Sequence, residues 1–178
     1  MERNRFKEEV LPLKNKLYRF AYSLLGDREE GQDAVQDVFI KLWNIRDKLN
    51  ELNSIEAFAM KVTKNHCLDI IKSRRTVSFE ETKSLLFLQN EDDSIEKSAE
   101  LKDTANHIKQ MMSFLPVQQK MIMQLRDIEG YEFDEIERAL GISINTIRVN
   151  LSRARKKIRE LYIKSLNNGS EKSKSFIG

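Results

Sequence analysis

The stretch FDEIERALGISINTIRVNLSRARKKIREL, from Phe133 to Leu161, leaves few choices of local structure. Gly141 lies between two apolar-periodic runs, and a helix ends with least strain on a positive-φ residue that has no Cβ. Ser143 then offers a side-chain oxygen to the orphan N–H groups of the next helix. In that helix Ile144, Ile147, Leu151, Ala154, Ile158 and Leu161 recur at three- and four-residue spacing and make one buried stripe. The opposite face carries Asn145, Arg148, Val149, Ser152, Arg153 and Lys156. Between Arg138 and Arg159 there are seven basic residues and no acidic one. A short helix, a glycine turn and a basic helix with amides and arginines outward form the helix-turn-helix pattern, whose second helix enters a DNA major groove. An ordinary solvated helix would mix glutamates with lysines. Here the acids stop at Glu137 and resume at Glu160, an exclusion that phosphate binding explains and solubility does not.

Such a surface must come from local segregation, because the whole chain of 178 residues carries a net charge of only +3. Two prolines, six glycines and periodic apolar residues predict an all-α chain of one or two small domains. Cys67 is the single cysteine, which excludes an internal disulfide and suits a reducing cytoplasm. His66 beside it does not complete a zinc site, and no other metal or cofactor motif is present. The longest apolar run is far short of a membrane span, and MERNRFKEEV lacks an apolar signal core, so the expected location is the cytoplasm without direct membrane insertion.

Along the chain, a first helix is expected from Arg5 to Leu25, with Val10, Leu13, Leu17, Phe20, Ala21 and Leu24 on one stripe. Gly26 ends it, and Asp27 with Glu30 starts a capped helix to about Asn44. There Val35, Val38, Phe39 and Leu42 face the core, leaving Asp33, Gln36, Asp37 and Ile40 outward with Trp43 on the flank. An exposed isoleucine among acids and an amide reads as a protein contact, while Trp43 fits core and contact equally. The next helix, Ser54 to Arg75, carries Lys61, Lys64, Lys72, Arg74 and Arg75 against the single later acid Asp69, with Phe58, Val62, Leu68 and Ile71 as its core side. Asn65 is a poor mid-helix residue, placed there by a buried hydrogen bond or by reading a base. Eight acids and three lysines lie between Val77 and Asp103, which marks an acidic linker, and its Leu85–Leu88 cluster is too apolar for a plain tether. Helix resumes from about Ser94 to Phe114, with Ile95, Ala99, Ala105, Ile108, Met112 and Leu115 spaced for burial. Pro116 opens another helix that Gly130 closes. The domains are therefore 1–76, a linker 77–93, the helix-turn-helix domain 94–166 and a flexible polar tail 167–178.

Two blocks of the chain resemble one family. DAVQDVFIKLW (Asp33 to Trp43) and FAMKVTKNHCLDIIKSRR (Phe58 to Arg75) resemble the second conserved region of bacterial RNA polymerase sigma factors. LPVQQKMIMQLRDIEGYEFDEIERALGISINTIRVNLSRARKKI (Leu115 to Ile158) resembles their fourth, and the shortness of the chain resembles the extracytoplasmic-function (ECF) group. The resemblance implies a polymerase subunit in which Asp33, Gln36, Asp37, Ile40 and Trp43 contact the coiled coil of the core polymerase β′ subunit. It places Asn65 and Asp69, with the cations Lys61, Lys64, Lys72, Arg74 and Arg75, at the minus-ten promoter element. Asn145, Arg148, Val149, Ser152, Arg153 and Lys156 would meet the minus-thirty-five element as duplex. Promoter DNA, core polymerase and the anti-sigma factor such proteins commonly have are the implied partners. Three positions depart from the family pattern: Phe58 stands where Trp is usual, Glu137 where a small residue is usual, and Arg148-Val149-Asn150 form an uncommon trio.

A helix-turn-helix regulator that acts without polymerase is the competing reading. It would need a ligand pocket or dimer seam, for which the Asp33–Trp43 and Lys61–Arg75 surfaces are not built. An enzyme is disfavoured by the lack of a phosphate loop, a metal cluster or a paired nucleophile and base.

Overall fold

The computed structural model describes residues 3–80 and 107–174, with side chains from 6–49, 51–74 and 107–166. Every described element is a helix or helical turn, as the composition predicts. The predicted first helix is two: α1 (Arg3–Glu9) and α2 (Lys14–Leu25), separated by a 3-10 turn at Leu11–Leu13. Pro12 breaks it, because proline has no N–H to continue the ladder and its ring clashes with the carbonyl four residues back. The apolar stripe runs on through the break, with Val10, Leu17, Phe20 and Ala21 fully buried. Gly26 ends α2 at φ 77°. Asp27 then accepts a hydrogen bond from Glu30 N at 2.9 Å and starts α3 (Arg28–Asn44), as expected.

A 3-10 turn (Arg46–Glu51) leads to α4 (Ile55–Glu80), whose start is capped by Ser54 Oγ accepting from Ala57 N at 3.1 Å. The buried face of α4 differs from the expectation. Phe58, Val62 and Ile71 are only half-buried and Leu68 likewise, whereas Ala59, Met60, Thr63 and Cys67 are fully enclosed. Helix α4 packs against α2 and α3 and also against the helix-turn-helix, so small and flexible side chains take the closest approach and larger ones fill the flanks. Thr63 satisfies its hydroxyl within the helix, on Ala59 O at 2.8 Å. The helix continues to Glu80, four residues past the boundary expected at 76. The rest of the acidic linker with Leu85–Leu88, and the helix start at Ser94 with Ile95, Ala99 and Ala105, lie outside the described residues.

Residues 107–113 are helical; Met111, Met112 and Leu115 are buried, while Ile108, expected inside, is exposed. Pro116 sits just before α5 (Val117–Met123), which passes into a π turn over Gln124–Ile128 closed by Glu129 N on Gln124 O. Gly130, at φ 76°, turns the chain into α6 (Phe133–Leu140), and α7 (Ile144–Lys174) follows. Helix α7 runs beyond residue 166 into the segment expected to be a tail, with no proline to stop its propagation. The buried side chains of both halves belong to one continuous cluster, from Phe6 to Ala154.

Candidate nucleic-acid and polymerase-binding surfaces

The helix-turn-helix is built as its sequence requires. Gly141 adopts φ 71° and its N–H closes α6 on Glu137 O at 2.8 Å. Ser143 Oγ accepts from Thr146 N at 3.4 Å and shares a hydrogen bond with Thr146 Oγ1 at 2.9 Å. Glu137, the misfit in the sequence, caps the positive end of α7, its Oε1 accepting from Ile144 N at 3.2 Å. That contact explains a charge where packing alone would favour a small side chain.

Of the expected stripe, Ile147, Leu151 and Ala154 are buried while Ile144, Ile158 and Leu161 are only half-buried, and Asn145, Arg148, Val149, Ser152, Arg153 and Lys156 are all exposed on the far side. Val149 is 49% exposed, an apolar group in water beside an arginine. The Arg148 guanidinium lies 5.3 Å from the Phe133 ring centroid, and Arg126 lies 4.8 Å from the same ring, so Arg148 is held at the first turns of the helix. Further along, Arg155 clasps Asp127 with two hydrogen bonds, at 3.0 and 2.5 Å, and pins α7 to the π turn. Arg155, which is not among the residues expected at DNA, is therefore a cation of this helix that serves the fold.

The basic set expected for the minus-ten element is divided. Lys61, Asn65 and Asp69 are exposed or half-exposed along α4. Lys64 donates instead to Leu140 O, the last carbonyl of α6, at 2.9 Å; burial and the neighbouring Lys61 lower its pKa. Arg74 donates to Leu25 O at 3.2 Å and pairs with Glu30, tying α4 to the α2–α3 corner. Lys72 is exposed, and the Arg75 side chain lies outside the described ones. Burial pushes the Cys67 thiol up to about 12, which leaves it an inert core group rather than a reactive one.

On α3, Asp33, Gln36, Asp37 and Ile40 are exposed or half-exposed as expected, Ile40 by 59%. Asp37 Oδ2 lies 3.2 Å from His66 Nε2, while Lys41 Nζ meets His66 Nδ1 at 2.9 Å. The imidazole thus joins this face to α4. Trp43 is half-buried: its ring meets Phe6 edge-on at 5.0 Å and carries Arg46 at 4.8 Å, so it braces α1 against α3 as well as bordering the face.

Sequence reasoning missed a set of contacts between the halves. Glu56 Oε1 accepts from Lys16 Nζ at 2.6 Å and from the Tyr131 hydroxyl at 2.5 Å. Burial raises the Glu56 pKa, but the Lys16 and Tyr131 hydrogen bonds outweigh it and hold the carboxylate below its usual range. Burial, and then Glu56, push the Tyr131 hydroxyl up. Arg19 grips Glu129 with bonds of 2.8 and 2.6 Å. These partners are 75 and 110 residues apart, and no local pattern signals them. Among the described residues no group of acidic, histidine or cysteine side chains could hold a metal ion, and no helix is long and apolar enough to cross a membrane.

Comparison with known proteins agrees with this geometry. The family model described as "Sigma-70 region 2" matches residues 10–77, and "Sigma-70, region 4" matches residues 106–158. The ECF RNA polymerase sigma factor SigE of Mycolicibacterium smegmatis is 25% identical over 151 residues, which span 84% of this chain and 58% of that protein. The RNA polymerase sigma factor SigV of Bacillus subtilis is 25% identical over 82% of this chain and 84% of its own length. Among solved structures, the sigma factor RpoE bound to the anti-sigma factor NepR from Bartonella quintana superposes with a TM-score of 0.76 at 23% identity, covering 89% of this chain and 96% of that one. CnrH in complex with the cytosolic domain of CnrY gives 0.66 at 20% identity, over 92% of this chain and 90% of its own. With both region models matched in order around the two helical units, the chain belongs to the ECF family of RNA polymerase sigma factors.

Proposed function

We propose that this sigma factor binds core RNA polymerase through the α3 face, recognises the minus-thirty-five element with α7, and captures the opened minus-ten strand along α4. The observation that carries the reading is the α7 face: six exposed residues able to contact bases and phosphates, with no acid among them. Arg148 suits a bidentate pair with guanine, Asn145 a pair with adenine, and Val149 a thymine methyl. Arg153 and Lys156, one to two turns later, suit phosphates, which position the helix without specifying sequence. Along α4, Lys61 follows a single-strand backbone while Asn65 and Asp69 meet unstacked bases. The acids of α3 around Ile40 fit a basic, apolar-centred helix such as the β′ coiled coil. No nucleotide-hydrolysis motif is present in the sequence, so strand opening draws on binding energy alone. The solved relative bound to the anti-sigma factor NepR supports an anti-sigma partner here as well.

The test is pull-down of core RNA polymerase by the full chain, followed by run-off transcription from the promoter upstream of its own gene. Core binding and a discrete transcript are expected. Nanomolar, sequence-specific duplex binding by the chain alone, with no core binding, would favour a free-standing regulator.

A further inference from the structure

The reading above gives Arg148 a guanine of the minus-thirty-five element, and what sets the direction of that side chain lies outside its own helix. Helix α6 opens with a capping box, Glu132 N donating to Glu135 Oε2 at 2.7 Å, which fixes the backbone at Phe133. The Phe133 ring is half-buried against the core, and the Arg148 guanidinium lies over it, 5.3 Å from the centroid. Among the described residues no hydrogen bond or ion pair ties Arg148, so the ring is its anchor. The neighbouring arginines are held differently. Arg126 also lies over Phe133, at 4.8 Å, but it donates to Tyr131 O at 2.6 Å and pairs with Glu132 at 2.9 Å. Arg138 pairs with Asp134 at 3.0 Å, and Arg155 with Asp127.

We infer that Phe133 is a positioning residue for promoter recognition: its ring holds the Arg148 guanidinium in place without taking up the paired N–H donors that guanine needs. The inference rests on the assignment of α7 to the minus-thirty-five element and adds to its specificity a residue from the preceding helix. An aromatic face attracts the cation through its quadrupole and has no lone pair to claim a donor. A carboxylate in the same place would lock the fork of two donors that guanine O6 and N7 accept from. Holding the side chain before DNA arrives also reduces the rotamer entropy lost on binding. Two features separate this contact from a brace for the fold. The joint between α6 and α7 already has the Glu137 cap and the buried Ile136 and Ile147, so an exposed cation adds little to it. Glu132 compensates Arg126, whereas no acid pairs with Arg148, which leaves its charge for an acceptor from outside.

The experiment replaces Phe133 in the full chain by mono-, di- and trifluorinated phenylalanine, which drains the negative face of the ring step by step with little change of shape. Each chain is assembled with core polymerase, in the wild-type and the Arg148→Ala backgrounds. Closed-complex affinity for a duplex promoter and base preference in a promoter-library selection are measured, with helical content and melting temperature as controls. Affinity should fall stepwise with fluorine, about two- to fivefold in all, the share expected of one exposed cation–π contact. Preference should relax at the base pair that Arg148→Ala also relaxes, and fluorine should have no effect once Arg148 is gone. Phe133→Tyr, which keeps the ring, should retain the preference, and Phe133→Leu should lose it. Affinity and preference that ignore fluorine, or that fall equally in the Arg148→Ala background, overturn the positioning role. If Arg148→Ala itself leaves the preference unchanged, the assignment of α7 falls and this inference with it. A preference that depends on Arg148 but not on fluorine removes this inference alone.

Discussion

Helices α4 and α7 are both basic, and sequence alone assigns both to DNA, yet the structure uses their cations differently. On α7 the charged face opposes the buried stripe, and Arg148, Arg153 and Lys156 project into solvent. On α4 two of the expected DNA cations are committed to protein, Lys64 to α6 and Arg74 to the α2–α3 corner. The reason is position: the basic face of α7 lies opposite its packed side, whereas α4 is packed against α2, α3 and α6. A basic residue on a central helix has carbonyls and carboxylates within reach, and desolvation makes it use them. Charge segregation in the sequence therefore marks cations left free of the fold only where a helix has one buried side.

Substitutions can break that comparison. The largest effect should come from Ile147→Ala in the buried stripe of α7, a loss of about 2–5 kcal/mol in chemical denaturation, because the site is fully enclosed. Arg148→Ala should leave stability within about 0.5 kcal/mol. It should cost about 1–3 kcal/mol in minus-thirty-five binding by the holoenzyme and relax the preference at one base pair, read by promoter-library selection. Glu137→Ala should lower the melting stability by about 1 kcal/mol through the lost cap on α7. Unchanged stability there would mean that the carboxylate is a solvated group and the cap incidental. Lys156→Ala should weaken all promoter sequences alike and make the salt dependence shallower by about one charge. The smallest effect is acidic. Glu56 titrates below its usual range when folded, so its contribution is complete above the ordinary carboxylate pKa of about 4.3 and disappears as pH falls through the folded value. Glu56→Gln should flatten that part of a profile of folding stability against pH, measured by chemical denaturation.

What can be read from the sequence follows the range of the interactions. The glycine turn, the Ser143 cap, the Asp27 cap and the outward face of α7 depend on residues within a few positions of one another and appear as expected, and the buried stripe of α7 does so at its centre, Ile147, Leu151 and Ala154. Pro12 is also local, but an unbroken apolar stripe masks its effect on the first helix. The inner face of α4 defeats periodicity because Ala59, Thr63 and Cys67 are inconspicuous beside Phe58 and Leu68; only the approach of three neighbours makes small side chains the buried ones. Glu137 reads as a defect until the backbone of α7 supplies its partner seven residues on. The Glu56–Tyr131 and Arg19–Glu129 contacts are set by how the halves meet, which no periodicity encodes.

The division of labour between the two basic helices is tested most directly by kinetics of holoenzyme binding to a duplex promoter, resolving closed-complex affinity from the rate of strand opening. Arg148→Ala on α7 and Asn65→Ala on α4 are the two probes, both exposed and neither part of the core. Arg148→Ala should weaken the closed complex about tenfold or more with the opening rate unchanged, in line with the loss of one bidentate base contact. Asn65→Ala should leave the closed complex unchanged and slow opening. The reverse pattern, with Asn65→Ala lowering closed-complex affinity and leaving opening intact, would contradict the assignment of α4 to the single strand and α7 to the duplex.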